Sequence, residues 1–138
     1  MKKKRTPIEI YNARASQPDF RHLNEIADCF QLAILKTEDY TFYVHHGIDP
    51  MAIRSSARAL RKYGSMYGGS TITQQLVKNL YFTFERSWIR KIKESVLALR
   101  FERQLAKDQI LELYLNIIYF DNGQYGISDA SRFYFGKP

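Results

Sequence analysis

The stretch of sequence that decides the fold is Gly68-Gly-Ser-Thr-Ile-Thr-Gln-Gln-Leu-Val-Lys-Asn79. Its leading glycines favour a flexible joint, and Ser70 is a suitable N-cap for the helix that follows. At about 100° per residue, Thr71, Gln75 and Lys78 lie on one face of that helix, away from its apolar side chains. A hydroxyl, an amide and an ammonium in line can bind sugar hydroxyls and a phosphate, although an ordinary solvated helix face has the same pattern.

The same helical periodicity extends over most of the chain, and no alternating run is long enough to build a sheet. We therefore predict a mainly α fold with a flexible joint at residues 64–69, a loop at residues 38–48 and a turn at residues 121–123. Asp49 and Ser87 are expected to be N-caps. The predicted helices cover residues 23–36, 50–63, 71–80, 87–105 and 107–118, and a short last helix follows Ser128.

The composition is that of one packed, basic domain. Lysine and arginine outnumber acidic residues 21 to 14 over 138 residues, and the net charge is +7. This excess favours a polyanionic partner, which could be nucleic acid, an anionic membrane surface or a phosphorylated substrate, but a basic surface without a partner has the same composition. The single cysteine, Cys29, excludes an internal disulfide, and its apolar neighbours predict a buried thiol. No run approaches the roughly 18 apolar residues that a membrane span requires.

A second polar cluster lies on the predicted helix 87–105. Arg90 and Lys91 share the face of Glu94, while the apolar residues of the helix point away. A carboxylate between two cations could align them on a pyrophosphate, or hold a divalent ion together with that phosphate. The alternative is an intrahelical ion pair that stabilises the helix by about 0.3–0.5 kcal/mol.

A third cluster contains Glu38 and Asp39, followed by Phe42 and His45. Adjacent carboxylates near aromatic rings are candidates for a general base. A capping or surface role would explain the same pair equally well. His45 and His46 have no third ligand at helical spacing, so we do not predict a metal site there.

Five segments resemble, in order, the five motifs of the peptidoglycan glycosyltransferases, the transglycosylase domain of class A penicillin-binding proteins and of their monofunctional relatives. The match runs from about His22 to the end of the chain. The matching segments are Glu38-Asp-Tyr-Thr-Phe-Tyr-Val-His-His-Gly-Ile-Asp49, the opening stretch Gly68–Asn79, Arg90-Lys-Ile-Lys-Glu94, Ile110-Leu-Glu-Leu-Tyr-Leu-Asn116, and Tyr125-Gly-Ile127 with Tyr134-Phe-Gly-Lys137.

The resemblance implies a lysozyme-like, mainly helical fold and the polymerisation of lipid II into β-1,4 glycan strands. The glutamate that matches Glu38 is the general base, which takes the proton from the acceptor hydroxyl as that oxygen attacks C1 of the donor sugar. Undecaprenyl pyrophosphate leaves and the donor carbon is inverted, as fits one direct displacement. The implied domain spans residues 22–138 and lacks its C-terminal part, after an N-terminal extension of residues 1–21.

The resemblance also implies the site residues, the partners and the location. The glutamate that matches Glu94 handles the pyrophosphate, commonly with a divalent metal, Mg²⁺ or Mn²⁺. Lipid II and the growing glycan strand are the expected partners, at the outer (periplasmic) face of the bacterial cytoplasmic membrane, with contact to the anionic membrane surface. The residues implied to bind substrate are Asp39, Phe42, His45, Thr71, Gln75, Lys78, Arg90 and Lys91.

One position departs from the family pattern, and three alternatives to a transferase stay open. After Tyr119-Phe120 the family usually has glycine, whereas this chain has Asp121, which adds a charge and reduces backbone freedom. A lysozyme-like hydrolase would need a carboxylic acid as proton donor, for which Glu94 between two cations is poorly suited. A domain that binds lipid II or anionic membrane without turnover is the second alternative. A nucleic-acid binder is the third, but the basic residues form no aromatic-interleaved stripe, so we predict no nucleic-acid partner.

Overall fold

The computed structural model describes residues 5–64, 68–82 and 87–137. Within these ranges the chain forms seven α-helices and no β-strand, and Tyr119 and Tyr125 form an isolated antiparallel bridge. This confirms the mainly α fold and agrees with a lysozyme-like helical domain. The helices are α1 (Pro7–Ala15), α2 (Asp28–Glu38), α3 (Pro50–Tyr63), α4 (Ile72–Tyr81), α5 (Trp88–Gln104), α6 (Lys107–Leu115) and α7 (Ile127–Phe135), with a 3₁₀ turn at Leu23–Glu25.

Two of the predicted N-caps are confirmed. Asp49 accepts hydrogen bonds from the backbone N–H groups of Met51 and Ala52 at the start of α3, and Gly64 ends that helix at φ 70°. Ser87 caps α5. The rest of the predicted joint after Gly64 includes residues 65–67, which lie outside the described residues.

The cap predicted for α4 is wrong by one residue. Thr71, not Ser70, is the N-cap, because its hydroxyl accepts the N–H of Gln74 while the Gln74 side chain accepts the N–H of Thr71. This reciprocal arrangement needs Gln or Glu three residues after the cap. Ser70 has Thr73 at that position, so it cannot form the same pair.

The first predicted helix, residues 23–36, is also wrong in its bounds. A 3₁₀ turn at Leu23–Glu25 precedes α2, and α2 continues to Glu38. Glu38 therefore stands on the last turn of a helix instead of in the predicted loop. Cys29 is exposed, which contradicts the predicted buried thiol, because none of the residues of α2 is fully buried.

Helix α4 packs against both α5 and α6, and this arrangement forms the core. Helix α6 is buried from Ile110 to Leu115, so it lies inside the domain with side chains packed on nearly every face. Each fully buried leucine or isoleucine here stabilises the fold by about 1.5–3 kcal/mol relative to an exposed one. The sequence predicted this helix to reach Ile118, but it ends at Leu115, and Asn116 then bonds to the backbone of Arg21.

The predicted N-terminal extension contacts this core. Helix α1 packs against α5 and α6, and the Tyr11 hydroxyl donates to Glu112 Oε2 at 2.6 Å. Glu112 Oε1 accepts the N–H of Leu23 at 2.9 Å. The division of the chain at residue 21 stays a prediction.

The predicted turn after Phe120 is confirmed, and it contains the departure from the family pattern. Asp121 and Asn122 adopt φ of 76° and 48°, followed by Gly123 at 77°. Asp is one of the few residues with a side chain that adopt this left-handed region, because its carboxylate can bond locally, and here Asp121 Oδ1 accepts the N–H of Asn122 at 2.9 Å. The Tyr134 hydroxyl supports the turn by donating to the carbonyl of Phe120 at 3.1 Å.

None of the described helices combines the length and the apolar composition that crossing a bilayer requires.

Candidate active site

Glu38 is an exposed carboxylate held by a hydrogen-bond chain that joins three helices. Its Oε2 accepts from Gln75 Nε2 at 3.0 Å, across from α2 to α4. Gln75 Oε1 in turn accepts from the Tyr114 hydroxyl on α6 at 3.1 Å. The structure therefore brings together two of the predicted site residues, Glu38 and Gln75, although they lie 37 residues apart in the chain.

A cavity of about 360 Å³ opens beside this carboxylate. Lys78 and Asn79 line it together with Glu38 and Gln75, so a cation, two amides and a carboxylate face the same space. The cavity walls also include the apolar or aromatic residues Ile34, Tyr114, Ile118, Tyr119 and Phe120. Polar groups on an apolar wall are the pattern of a small-molecule binding cleft, in which the wall packs against the ligand and the polar groups fix its orientation.

Burial raises the pKa of Tyr114 well above its usual range, and the carboxylates of Glu38 and Asp39 raise it further. The phenol therefore keeps its proton at every working pH. In this structure that proton is directed to Gln75.

A second cavity, of about 210 Å³, is also lined by Glu38. Glu38 is a lining residue of both cavities. The second cavity is bounded by the start of α3 and the segment before α4, including Ala52, Gly69 and Ser70. A carboxylate that lines two cavities can contact molecules bound in either one.

Asp39 is buried and fixes the loop after Glu38 to the start of α4. Its Oδ2 accepts from the backbone N–H of Ile72 at 2.9 Å and from His45 Nε2 at 2.8 Å. His45 Nδ1 accepts the N–H of Gly47 at 3.0 Å, so the ring's proton sits on Nε2 and points at Asp39. The carboxylate also lies at the positive end of the α4 dipole.

Thr71 and Phe42 belong to the same group of buried residues as Asp39 and His45. The Thr71 hydroxyl donates to the carbonyl of Gly47 at 2.7 Å, and Phe42 lies under the ammonium of Lys107, 4.5 Å from the ring centroid. Their side chains, like those of Asp39 and His45, are less than one tenth exposed. The structure thus gives these four residues a positioning role, and their direct contact with substrate stays a prediction.

Glu94 is the centre of the third cluster, on α5. Its carboxylate is 2% exposed; Arg90 Nη1 donates to Oε1, and Lys91 Nζ lies 3.5 Å from Oε2. Lys91 Nζ also donates to Ser70 Oγ at 2.6 Å, and Ser70 lines the second cavity. The buried carboxylate thus holds two cations, one of which reaches the rim of the second cavity.

These contacts do not form a complete metal site. Both oxygens of Glu94 face cations, and the described residues contain no group of three His, Cys, Asp or Glu side chains that could hold a metal ion. A divalent ion would have to displace Lys91 and take its other ligands from substrate phosphate. The predicted metal stays a prediction.

Sequence reasoning missed Tyr114, Asn79 and Ser70 as residues of the site. Tyr114 lies among the apolar residues of the predicted helix 107–118, where periodicity predicts a core side chain, and its ring is buried. Its hydroxyl nevertheless reaches a polar group on another helix. Helical periodicity gives the direction of a side chain, but the partner that approaches from elsewhere in the chain has no local signal.

The model of one protein family, described as transglycosylase, matches residues 4–138. The chain belongs to the transglycosylase family. This confirms the resemblance found in the five motifs, and it places the chain among glycosyltransferases. The family match includes residues 4–21, which precede the first motif.

Relatives of this transglycosylase chain are penicillin-binding proteins. It is 48% identical over 140 residues to penicillin-binding protein 1A of Escherichia coli (strain K12), covering 95% of this chain and 16% of that protein. Penicillin-binding protein 1F of Bacillus subtilis (strain 168) is 46% identical over 116 residues, with coverages of 83% and 16%. Penicillin-binding protein 1A of Aquifex aeolicus (strain VF5) is 52% identical over 106 residues, with coverages of 76% and 15%. The chain spans about a sixth of the length of these relatives.

Proposed function

We propose that this chain is a peptidoglycan glycosyltransferase that extends β-1,4 glycan strands from lipid II and releases undecaprenyl pyrophosphate. The observation that supports this most strongly is the position of Glu38, an exposed carboxylate that lines two cavities. The family membership supports the class of reaction.

In the proposed reaction, Glu38 is the general base. It accepts the proton of the 4-hydroxyl of the acceptor N-acetylglucosamine as that oxygen attacks C1 of the donor N-acetylmuramic acid. The new C1–O bond forms as the bond from C1 to the pyrophosphate breaks, and the electron pair leaves with the pyrophosphate. Because this is one displacement, the donor carbon is inverted and no covalent glycosyl-enzyme forms.

We assign the donor pyrophosphate to the side of the second cavity, where Lys91 stands at the rim through its bond to Ser70. Arg90 and Lys91 can neutralise the charge that grows on the leaving group, since both are held in place by buried Glu94. The acceptor sugar would occupy the larger cavity, where Lys78 and Asn79 can bind its hydroxyls. A divalent metal, Mg²⁺ or Mn²⁺, would bind only together with the pyrophosphate, and no step here depends on it.

The exposed face of α5 supports contact with an anionic membrane surface, where a lipid-linked substrate would lie. Trp88, Ile92 and Val96 are 84%, 65% and 61% exposed, and they share one side of the helix. Lys93 and Arg100 flank this apolar face. An apolar stripe beside basic residues is the pattern of a helix that lies in a bilayer interface. The outer face of the cytoplasmic membrane is the location that the resemblance implies.

Transferase and hydrolase activity can be separated with two substrates. The purified chain should convert labelled lipid II in detergent into polymer and undecaprenyl pyrophosphate, and it should release no fragments from purified cell wall. Fragments from cell wall without polymer from lipid II would establish the hydrolase instead. Retained lipid II binding with no product from either substrate would establish the non-catalytic binder.

A further inference from the structure

We propose that Tyr114 is a positioning residue of the transfer reaction, because its hydroxyl fixes the Gln75 amide with the NH₂ group towards Glu38. The inference rests on the proposed function, since it assigns Glu38 as the base. It starts from two bonds, Tyr114 Oη to Gln75 Oε1 at 3.1 Å and Gln75 Nε2 to Glu38 Oε2 at 3.0 Å. The three groups form a relay from the core to the reacting carboxylate.

Glu38 needs such a relay because packing does not hold it. It is exposed, it lies on the last turn of α2, and no residue of that helix is fully buried. The bond from Gln75 is the side-chain hydrogen bond that the structure shows for this carboxylate. A base that turns freely in solvent reaches the acceptor hydroxyl in only a fraction of its rotamers, so fixing it raises the rate.

The Gln75 amide is a suitable link only in one orientation. An ionised carboxylate accepts hydrogen bonds and donates none, so the amide must present its NH₂ group to Glu38 and its oxygen to Tyr114. With the amide turned over, two oxygens would face each other at Glu38. The phenol is a donor that matches the required orientation, and its raised pKa ensures that the donor proton is present.

Tyr114 can fix the amide because Tyr114 itself is immobile. Its side chain is 3% exposed on the central helix α6, between Leu113 and Leu115, which are fully buried. The hydroxyl is thus placed by a fully buried part of the fold. The relay thus connects the buried Tyr114, through Gln75 on α4, to the exposed carboxylate of Glu38 on α2.

Tyr114→Phe removes the hydroxyl and keeps the ring. We expect kcat of lipid II polymerisation to fall about tenfold while KM stays within about twofold, because the base is disordered and substrate contacts remain. The matched control is Tyr81→Phe, which removes the hydroxyl of another part-buried tyrosine, on α4. The control should keep the wild-type kcat, and both variants should melt cooperatively by circular dichroism.

A double-mutant cycle with Gln75→Ala decides whether Tyr114 acts through Gln75. If the relay is correct, Tyr114→Phe/Gln75→Ala has the kcat of Gln75→Ala alone, because the link is already lost. Two effects that multiply, or a wild-type kcat for Tyr114→Phe, would overturn the proposal. A purely structural role for Tyr114 would lower kcat in the Gln75→Ala background as well.

A second measurement does not need catalysis. The side-chain NH₂ resonances of Gln75 in a ¹⁵N NMR spectrum, assigned by their loss in Gln75→Ala, should move in Tyr114→Phe and stay in place in Tyr81→Phe. Unchanged resonances in Tyr114→Phe would overturn the relay even if the wild type polymerises lipid II. A wild type without polymerase activity would overturn the proposed function and leave this spectral result to decide the hydrogen-bond chain.

Discussion

At the scale of single residues, the site depends on buried side chains that form hydrogen bonds with other groups of the protein. Asp39, His45 and Thr71 are buried, and their hydrogen bonds join the loop after Glu38 to the start of α4. These three residues form a frame from which Glu38 projects into solvent. The frame fixes the segment that follows Glu38, and the hydrogen bond from Gln75 holds the carboxylate itself. Buried polar groups of this kind are costly to remove one at a time, because each loss leaves a partner unsatisfied.

Among the described glycines, Gly126 is the one at which an added Cβ would make the shortest contact. It has φ 80°, and a Cβ added there would lie 2.5 Å from the carbonyl oxygen of Asn116. Gly126→Ala should lower the free energy of unfolding by about 3 kcal/mol, through the clash together with a backbone of φ 80° and ψ 154° that is essentially restricted to glycine. Urea unfolding measures this change.

Gly123 provides the matched control for that substitution. It has nearly the same backbone angle, φ 77°, but a Cβ there would meet nothing within 4 Å. Gly123→Ala should therefore cost about 1 kcal/mol, from the backbone angle alone. Equal losses in the two variants would show that the contact with Asn116 is not responsible.

Lys91 should contribute directly to pyrophosphate binding. Its ammonium is part-exposed and stands beside Ser70 at the rim of the second cavity. Lys91→Met should weaken the binding of inorganic pyrophosphate about tenfold, the loss of one charge-assisted hydrogen bond. Calorimetry would measure it, with Lys93→Met as the control on the same helix. Equal affinities for wild type and Lys91→Met would remove Lys91 from the donor site.

At the scale of helices, the sequence predicts N-caps and helix faces where the residues that determine them lie close together in the chain. The pair Asp49-Pro50 correctly predicted the start of α3, and Ser87 the start of α5. The shared face of Gln75 and Lys78 also follows from periodicity, and both residues line one cavity. The place of Thr71 did not follow, because its hydroxyl bonds to Gly47, 24 residues away.

The N-cap of α3 should make stability depend on pH. The hydrogen bond from Thr41, followed by the backbone N–H groups of Ala52 and Met51, holds the pKa of Asp49 below its usual 3.8. A group with a lowered folded-state pKa contributes its full stability above the unfolded value and loses it as pH falls. Asp49→Asn should therefore reduce the loss of stability on acidification below about pH 4, by about 1 kcal/mol.

That change is measured by urea unfolding at a series of acidic pH values. Asp129→Asn, on α7, is the control, because the contact that Asp129 makes among the described residues is a 3.7 Å ion pair on a part-exposed surface. If wild type and Asp49→Asn lose stability equally on acidification, the cap does not hold its charge in the way described.

The exposed apolar face of α5 predicts membrane binding by one side of the molecule. Ile92→Glu should weaken binding to vesicles that contain anionic phospholipid about tenfold, because it places a negative charge in the interface. Leu32→Glu makes the same change at another exposed apolar position, on α2, and should bind as the wild type does. Co-sedimentation gives both affinities. Equal weakening by the two substitutions would show that the effect comes from net charge and not from this face.

At the scale of the whole molecule, the sequence predicted the helical fold and the family, and the structure adds how distant segments meet. Glu38 was placed in a loop by its polar neighbours, whereas it ends a helix and faces two cavities. Those cavities are formed by α2, α4, α6 and the start of α3. No local sequence pattern predicts that these elements come together. The hydroxyl of Tyr114 was missed for the same reason.

Some of the positive charges of the molecule lie where they can bind the pyrophosphate of the proposed substrate. Lys78 lines one of the two cavities beside Glu38, and Lys91 bonds to Ser70, which lines the other. Glu94 reduces the repulsion between Arg90 and Lys91 from a buried position. The net charge of +7 thus includes cations that converge on a site where a pyrophosphate would bind.

The measurement that tests the central claim most directly is the rate of glycan formation by Glu38→Gln compared with its binding of lipid II. The substitution keeps the size of the side chain and removes the base, so we expect the rate to fall at least about 100-fold while affinity for lipid II stays within about threefold. Asp129→Asn, which neutralises a carboxylate outside both cavities, should keep the wild-type rate. Polymer formed by Glu38→Gln at the wild-type rate would contradict the assignment of Glu38 as the base.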